Sequence, residues 1–507
     1  MIGLRLRWAT PLALAAGLLL VLAVPPVGVR LLAVPAVAGL AVATHGQRSR
    51  VGFLLGLLSG LALFLPLLEW MRVVGVHAWL VTAALESLFV GALGAGLAVA
   101  SRLRLWPLWC AAVWVADEAV RGRVPFGGFT WGRLAFTQDA GPLTPWVAVG
   151  GAPLLTFVVA LLGTLLAAVV LSVADSRALF TRRRLAVAGG YAVLAVVLAP
   201  AAYALPAAPP ADREVVVAAV QGNVPRAGLD AFSQTRQVLR NHADVTTRLA
   251  ADVRAGTVPA PDLVIWPENA TDIDPRTDPE TILQISRAAS AVSRPILVGA
   301  VLDRPDGRLE NAGLVWDPRS GPGAIYVKRH LVPYGEYVPL RSLLSGFVSQ
   351  LDRIPRDFVP ADAPGVLDVN GVRLGDVICF EIAYDDLVRD VVTGGGQLLV
   401  VQTNNATYGR TGQPHQQFAI SRLRAVEHGR AVVVASTSGI SGIVLPDGHV
   451  VAKTGEFVAA ALVERVPLVR GRTLATRVGV WPEVALTAVG LGAILLGARR
   501  RRRERGR

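Results

Sequence analysis

Residues 214–221 read EVVVAAVQ, and they begin a region in which short apolar runs alternate with amphipathic stretches. Six similar runs follow, namely DLVIW, PILVGAV, AIYVK, DVIC, LLVVQ and AVVVAS, at residues 262–266, 295–301, 324–328, 376–379, 398–402 and 431–436. Strands that are apolar throughout are typical of a sheet covered on both faces. Helical periodicity lies between several of these runs, at residues 231–254, 278–292 and 414–428. The region is therefore predicted to fold as an α/β domain.

The sequence outside this region is far more apolar. The chain has 507 residues, of which 53% are hydrophobic and 17% charged, whereas soluble proteins carry about 25% charged residues. The mean hydropathy is +0.49. Long apolar runs lie near residues 9–28, 31–44, 51–68, 78–100, 104–120, 145–173, 185–204 and 478–498. Because about 20 apolar residues cross a bilayer, we predict seven transmembrane helices before the α/β domain and one after it.

The positive charge of the chain belongs to its apolar part. Residues 212–470 contain 26 Lys and Arg against 29 Asp and Glu, whereas the remainder has a net charge of +16. A nucleic-acid-binding protein needs a basic patch on a folded domain. The charge distribution therefore argues against a nucleic-acid partner.

Arginine placement predicts the orientation in the membrane. With a cytoplasmic N-terminus, the cytoplasmic segments carry 17 basic residues and the short outer loops carry 5. Cytoplasmic loops are enriched in Lys and Arg. We therefore expect a transmembrane domain of about seven helices at residues 1–205, an extracytoplasmic domain at 212–470, a C-terminal transmembrane helix at 478–498 and a basic cytoplasmic tail at 499–507.

Four acidic residues lie in or beside the predicted spans. Acids inside a bilayer are costly and by default indicate function. For Glu69, Asp117 and Glu118, a position at the membrane interface is the simpler interpretation. Glu86 lies in the middle of its apolar run, and the sequence names no partner for it.

Three polar residues stand at the ends of predicted strands, where open α/β sheets gather their functional groups. Glu268 follows DLVIW through Pro267, Lys328 ends AIYVK, and Cys379 ends DVIC. Each has a structural alternative, as a turn cap, a surface charge or a core thiol. The lysine is unusual because the chain has 48 Arg and only two Lys. Unlike the broad planar guanidinium of arginine, the ammonium of lysine is a compact cation that can donate to a single oxygen.

Together the three residues predict acyl transfer through a thioester. A thiol needs a base to become a nucleophile, and Glu268 can take the proton of Cys379. Lys328 can stabilise the thiolate and then the oxyanion of a tetrahedral intermediate, aided by the backbone N–H that follows Cys379. Serine hydrolase and zinc hydrolase motifs are missing, since no G-x-S-x-G or H-E-x-x-H occurs. The chain has two cysteines, Cys110 and Cys379, so a disulfide-stapled scaffold is excluded.

Three motifs carry a resemblance to a known family. Residues 266–270 read WPENA, residues 328–339 read KRHLVPYGEYVP, and residues 379–381 read CFE. They resemble the nitrilase (carbon–nitrogen hydrolase) superfamily and, more narrowly, the apolipoprotein N-acyltransferases of bacterial lipoprotein maturation. The arrangement of seven spans, an external domain and one further span is also similar, so the resemblance covers nearly the whole chain.

The resemblance implies an α-β-β-α sandwich for the nitrilase-like domain, attached to a multi-span helical domain in the bacterial cell (inner) membrane. It also implies a ping-pong reaction. An acyl chain passes from a membrane phospholipid to a cysteine, and then to the α-amine of the diacylglyceryl-modified N-terminal cysteine of an apolipoprotein. By motif, Cys379 is the nucleophile, Glu268 the general base and Lys328 the cation that stabilises the intermediate. No cofactor or metal is implied, and we expect a monomer.

Four supporting residues follow from the same resemblance. Glu336 matches a second glutamate near the catalytic lysine, and Glu381 matches the acid two residues after the nucleophile. Asn311, which is expected just before a strand that enters the site, matches an asparagine of the family by weaker local context. Phe380 stands where the family often has tyrosine, at a position where the required group is the backbone.

The chain departs from the family at residues 404–409, which read NNATYG where the family usually has Asn-Asp-x-Trp-Phe-Gly. An acid and an indole are therefore missing, which concerns contacts with the acyl chain or head group. Residues 340–360 mix apolar and basic positions, and they form either a mobile arm that contacts lipid or a plain surface helix. Two other functions stay open, a membrane-tethered amidase that hydrolyses amides and a non-catalytic scaffold or transporter.

Overall fold

The computed structural model describes residues 4–174, 189–190, 193–194, 196–198, 200–204, 209–224, 235–339 and 356–505. The chain forms two compact units. One unit comprises residues 1–207 and 477–507, and the other comprises residues 208–476.

The first unit is built from helices. They are α1 (Leu6–Ala23), α2 (Ala33–Thr44), α3 (Ser49–Leu67), α4 (Val76–Ala100), α5 (Trp106–Arg121), α6 (Val147–Ala174) and the C-terminal helix Trp481–Arg505. Within the described residues, five helical stretches are long and apolar enough to cross a membrane: Leu6–Ala23, Ser49–Leu67, Val76–Ala100, Thr144–Val173 and Trp481–Arg500. The predicted span at 185–204 lies largely outside the described residues.

Helices α3 and α4 pack closely because glycines line their contact. A Cβ atom at Gly56 would lie 2.2 Å from the carbonyl oxygen of Val90, and one at Gly94 would lie 2.3 Å from that of Gly52. Small residues that let backbones approach are the usual means of packing helices in membranes. The close contact between α3 and α4 therefore depends on glycine, which has no side chain, at these positions.

Three of the four acidic residues in or beside the predicted spans have partners that the sequence did not reveal. Glu86 Oε2 accepts a hydrogen bond of 2.9 Å from Arg121 Nη1, and both side chains are buried. Glu118 is also buried, and it accepts hydrogen bonds from the backbone N–H of Leu134 at 2.7 Å and the Thr156 hydroxyl at 2.8 Å. The interfacial interpretation therefore does not describe the surroundings of Glu118. Glu69, in contrast, is half exposed and pairs with Arg72.

The second unit contains two six-stranded sheets. The strands of the first sheet follow the order β12-β1-β2-β3-β4-β5, with β1 Arg213–Gln221, β2 Leu263–Ile265, β3 Ile296–Asp303, β4 Leu309–Asp317, β5 Gly321–Val327 and β12 Ala460–Leu468. The second sheet follows the order β11-β10-β9-β8-β7-β6, with β6 Val366–Val369, β7 Val372–Ile378, β8 Leu398–Thr403, β9 Val432–Ser436, β10 Gly442–Val444 and β11 Val450–Lys453. In each sheet the three central strands are parallel and the outer pairs are antiparallel.

Four helices cover the sheets: α7 (Thr235–Arg254), α8 (Pro279–Val292), α9 (Asp385–Thr393) and α10 (Gln413–His428). A short helix, α11 (Leu474–Val478), follows the last strand. Alternate residues of one strand enter different cores. Val217 and Ala219 of β1 lie in the apolar core shared by the two sheets, whereas Ala218 and Val220 pack in the core that includes α7 and α8. Strands buried on both faces explain the uniformly apolar runs, and the expected α-β-β-α sandwich is confirmed.

Candidate active site

The three strand-end residues come from both sheets. Glu268 follows β2 and Lys328 directly follows β5 in the first sheet, while Cys379 directly follows β7 in the second. Glu336 reaches the same place from the turn after Lys328, and Asn311 reaches it from within β4. Asn311 was expected before a strand, but it lies three residues into the first sheet's fourth strand because that strand begins at Leu309. Because Asn311 lies within β4, the sheet fixes the position of its side-chain amide.

Lys328 lies between two carboxylates. Its Nζ is 3.1 Å from Glu268 Oε1 and 3.0 Å from Glu336 Oε1, and only 1% of the residue is exposed. Burial alone would lower the pKa of Lys328, but the charges of Glu268 and Glu336 outweigh it and hold the pKa well above its usual value. The ammonium therefore stays charged at neutral pH.

Asn311 ties the two carboxylates together. Its Nδ2 donates one hydrogen bond of 2.7 Å to Glu268 Oε1 and another of 2.7 Å to Glu336 Oε1. The same two oxygens accept from Lys328 Nζ. Two donors on two acceptors make a closed ring, which restricts the rotamers of all four side chains.

The second oxygen of each carboxylate is anchored on the backbone. Glu268 Oε2 accepts from the N–H of Asn404 at 2.8 Å, and Glu336 Oε2 accepts from the N–H of Val332 at 2.8 Å. Asn404 directly follows β8, the strand beside β7 in the second sheet. Glu268 thus belongs to the first sheet but is oriented by the second.

Cys379 adopts a backbone conformation that is unusual for its residue type. Its φ is 56°, in the left-handed region, where a residue with a Cβ costs about 1–3 kcal/mol. Such strain is frequent where a side chain must be aimed. Cys379 Sγ lies 3.3 Å from the hydroxyl of Thr403, the last residue of β8. Consecutive residues at the end of β8 therefore contact the thiol and the carboxylate of Glu268.

The thiol of Cys379 is neutral at physiological pH. Burial and the negative charge of Glu268 raise its pKa to about 12, against the opposing effects of Lys328 and the Thr403 hydroxyl. The thiolate is the nucleophilic form of cysteine. This site can therefore generate a nucleophile only when a base removes the proton during the reaction.

Glu381 holds the lysine and cysteine segments together without touching either reacting side chain. Its carboxylate is fully buried and accepts from the N–H groups of Arg329 at 2.7 Å, His330 at 2.9 Å and Ile378 at 2.8 Å. It also accepts from the phenol of Tyr326 at 2.8 Å. One carboxylate thus links the backbone on both sides of the site.

The remaining predicted positions lie around this cluster. The ring of Phe380 packs edge-on against Tyr384, with 5.5 Å between centroids. In the 404–409 loop, burial and the charges of Cys379 and Glu268 raise the pKa of the Tyr408 phenol. Most of the proposed lipid arm, residues 340–355, lies outside the described residues.

Sequence reasoning missed Thr403. It directly follows the run LLVVQ at residues 398–402, because β8 ends one residue later than that run. The same rule that selected Glu268, Lys328 and Cys379, a polar residue at the end of a buried strand, applies to it. A threonine attracts less attention than a charged residue or a thiol.

Comparison with known proteins identifies the family. Residues 216–476 match the carbon-nitrogen hydrolase family, and residues 16–165 match the apolipoprotein N-acyltransferase N-terminal domain. An apolipoprotein N-acyltransferase of Mycolicibacterium smegmatis is 41% identical over 96% of this chain and 84% of its own length. One of Azotobacter vinelandii is 31% identical over 99% of this chain and 98% of its own length.

Solved structures similar to this chain include an amidase of the nitrilase superfamily from Nesterenkonia AN1. It is 19% identical and covers 53% of this chain and 95% of its own chain, with a TM-score of 0.38. The full-length relatives and the five apolar helices identify a membrane protein with an N-acyltransferase activity. The chain therefore belongs to the apolipoprotein N-acyltransferase family.

Proposed function

We propose that this chain transfers an acyl chain from a membrane phospholipid, through a thioester on Cys379, to the N-terminal α-amine of diacylglyceryl-cysteine in apolipoproteins. The observation that carries the proposal is the buried cluster in which Lys328 Nζ lies 3.1 Å from Glu268 and 3.0 Å from Glu336, next to the strained Cys379. A base, a compact cation and a thiol are the groups that thioester chemistry requires.

In the first half-reaction, Glu268 removes the proton of the Cys379 thiol. The sulfur attacks the ester carbonyl carbon of the phospholipid, and the carbonyl oxygen becomes an oxyanion. Lys328 Nζ and the backbone N–H of Phe380 stabilise that oxyanion. The intermediate then collapses, the carbon–oxygen bond to the glycerol breaks, and the leaving alkoxide takes the proton from Glu268 as the lysophospholipid departs.

In the second half-reaction, the α-amine of the acceptor attacks the thioester carbonyl carbon. Glu268 accepts a proton from the amine nitrogen, and Lys328 again stabilises the oxyanion. Collapse breaks the carbon–sulfur bond and leaves an amide. The thiolate of Cys379 recovers its proton from Glu268, which returns the site to its starting state.

Glu336 and Asn311 support Lys328 and Glu268 in this mechanism. Glu336 supplies a second negative charge beside Lys328, so the ammonium stays protonated even when Glu268 is neutral. Asn311 donates to both carboxylates, which keeps the base Glu268 and the cation Lys328 in fixed relative positions. We assign neither residue a direct step.

The proposal extends to the place of the reaction. Both substrates carry lipid tails, so the second unit must work beside a bilayer. The excess of arginine in the segments assigned to the cytoplasm favours an extracytoplasmic active site in the bacterial inner membrane.

The test is mass spectrometry of the purified full-length protein after incubation with phospholipid and no acceptor. We expect a mass increase of one acyl chain, located on the Cys379 peptide, and release of lysophospholipid. The Cys379→Ala variant should fold and acquire no adduct, whereas Cys110→Ala should react like the parent protein because Cys110 lies in α5. An adduct on another residue, or ammonia release from small amides without lipid dependence, would contradict the proposal.

A further inference from the structure

Thr403 has one hydroxyl proton and two acceptors within reach. Its Oγ1 lies 3.1 Å from Gln417 Oε1 and 3.3 Å from Cys379 Sγ. The residue is 1% exposed, so water does not compete for the proton. A single proton cannot form two full-strength hydrogen bonds. The Thr403 hydroxyl therefore donates mainly either to the amide oxygen or to the sulfur.

The amide acceptor is held in place by its own network. Gln417, on α10, is buried, and its Oε1 also accepts from Asn405 Nδ2 at 2.8 Å and from Gln413 Nε2 at 3.1 Å. Asn405 Oδ1 in turn accepts from the Ser436 hydroxyl at 2.8 Å. Because each amide is fixed by the next, Gln417 presents its oxygen to Thr403.

The charge on the sulfur decides which acceptor is better. A thiol is a weak hydrogen-bond acceptor, so the Thr403 hydroxyl donates to Gln417 Oε1 while Cys379 is protonated. A thiolate is an anion, and hydrogen bonds to charged acceptors are about twice as strong as neutral ones. Deprotonation of Cys379 therefore reverses the preference.

We propose that Thr403 is a further catalytic residue whose hydroxyl turns from Gln417 Oε1 to Cys379 Sγ when Glu268 removes the thiol proton. This inference rests on the proposed function, in which Glu268 is the base. No bond other than this hydrogen bond changes: the thiol proton moves to Glu268, the electron pair stays on sulfur, and the hydroxyl proton stays on Thr403. Once the sulfur carries an acyl group, the Thr403 hydroxyl donates to Gln417 Oε1 again.

The test measures how fast iodoacetamide alkylates Cys379 in the full-length protein in detergent, from pH 7 to pH 10, by quantifying the modified peptide. Thr403→Val keeps the shape of the side chain and removes the hydroxyl, while Thr403→Ser keeps the hydroxyl. Gln417→Met removes the competing acceptor. Thr44→Val is the matched control, since Thr44 is equally buried in α2 and its hydroxyl donates to the carbonyl oxygen of Leu40 in the same helix.

We expect Thr403→Val to alkylate about tenfold more slowly at every pH, which corresponds to one pKa unit. Thr403→Ser and Thr44→Val should stay close to the parent protein, and Gln417→Met should react at least as fast as the parent. A merely structural role would slow Thr403→Val and Gln417→Met together. That result, or Thr403→Val at the parent rate, would overturn the inference.

The readout separates this inference from the proposed function. Alkylation needs neither phospholipid nor acceptor, so it reports the thiolate of Cys379 whatever the natural substrate is. A parent protein that forms no acyl adduct would count against the acyl-transfer proposal. A Thr403→Val variant that alkylates normally would count against the role of Thr403 alone.

Discussion

At the scale of the single residue, the role proposed for Lys328 requires a charged group that is also small. Its ammonium occupies a closed ring with two carboxylates and one amide. A guanidinium is a broad planar fork that donates in fixed directions. The ring has room for a compact ammonium, and an arginine at position 328 would push the two carboxylates apart.

Lys328→Arg is therefore expected to lower the rate of acyl-enzyme formation by at least about 100-fold, as the loss of an oxyanion donor does. The reason is the displaced cation, since the charge itself is kept. The rate is measured by mass spectrometry with phospholipid alone. Lys453→Arg is the control, because Lys453 is the other lysine and lies over the ring of Phe418, outside the cluster. Equal rates for Lys328→Arg and the parent would refute the requirement for an ammonium.

Asp376 predicts a pH dependence of stability. It is fully buried in β7, and neither carboxylate oxygen has a hydrogen-bond partner among the described residues. Burial, together with the charges of Glu381 and Glu268, raises its pKa well above the usual value. The folded state therefore favours the neutral acid. Its contribution is fully present below the unfolded pKa of about 3.9, and it is lost as the pH rises toward the folded pKa.

Asp376→Asn removes this titration. We expect the thermal midpoint of the variant, relative to the parent, to rise by a few degrees between pH 5 and pH 8. An amide nitrogen can also donate to Gln402 Oε1, which likewise has no partner in the described part of the chain and lies with Asp376 against Gly313. Thermal unfolding at both pH values is the measurement, and Asp244→Asn on the exposed face of α7 is the control. A pH-independent difference would show that Asp376 does not titrate in this range.

At the scale of the secondary-structure element, the site depends on how closely β3 approaches the segment that carries Glu268. A Cβ atom at Gly299 would lie 2.1 Å from the carbonyl oxygen of Pro267 and 2.7 Å from the Cα of Glu268. Both contacts are with backbone, which cannot rotate away as a side chain end can. Gly299 thus sets the position of Glu268 from a neighbouring strand.

Gly299→Ala is expected to shift Glu268 and lower acyl-enzyme formation by at least about tenfold, since small displacements of catalytic groups are costly. Overpacking of this kind also destabilises by about 1–3 kcal/mol. Acyl-adduct kinetics and the thermal midpoint measure the two effects. Gly323→Ala on β5 is the matched control, because its Cβ would meet only an ordinary contact of 3.5 Å. Unchanged kinetics for Gly299→Ala would mean that Glu268 tolerates the shift.

Most of the strands that could be predicted share one property, which is burial on both faces; β5, predicted from AIYVK, is the exception, because most of its residues are exposed. The strands β1, β2, β3, β7, β8 and β9 are nearly all buried and appear in the sequence as uniform apolar runs. In contrast, β6, β11 and β12 lie toward the sheet edges and are partly exposed. Their mixed patterns have no clear period. β4 is buried, but its apolar run is interrupted by Glu310, which pairs with Arg304, and by Asn311, which donates to the carboxylates of the site.

At the scale of the whole molecule, the proposed orientation in the membrane rests on charge. The segments assigned to the cytoplasm carry most of the arginines of the helical unit, and basic residues are retained on that side during insertion. The proposed orientation puts two exposed residues on opposite sides of the membrane, Ser320 in the second unit and Arg50 at the start of α3.

We expect a membrane-impermeant maleimide to label Ser320→Cys in intact cells, with the outer membrane opened where there is one. Arg50→Cys should be labelled only after the inner membrane is permeabilised. Both variants are made in a background with Cys110→Ala and Cys379→Ala, so that each protein has one thiol. The matched pair controls for reagent access. Labelling of Arg50→Cys alone in intact cells would reverse the proposed topology.

Composition and hydrophobic period are local properties, and from them the sequence predicted an α/β domain and the apolar helices. Its short motifs carried the resemblance that implied the family and the sandwich architecture, and the rule of polar residues at strand ends selected Glu268, Lys328 and Cys379. How these groups are held depends on tertiary contacts: Glu268 bonds to Asn404, 136 residues away, and Glu86 accepts a hydrogen bond from Arg121 on another helix. Such contacts depend on the packing of distant segments, and the packing of whole elements is not encoded in any local pattern.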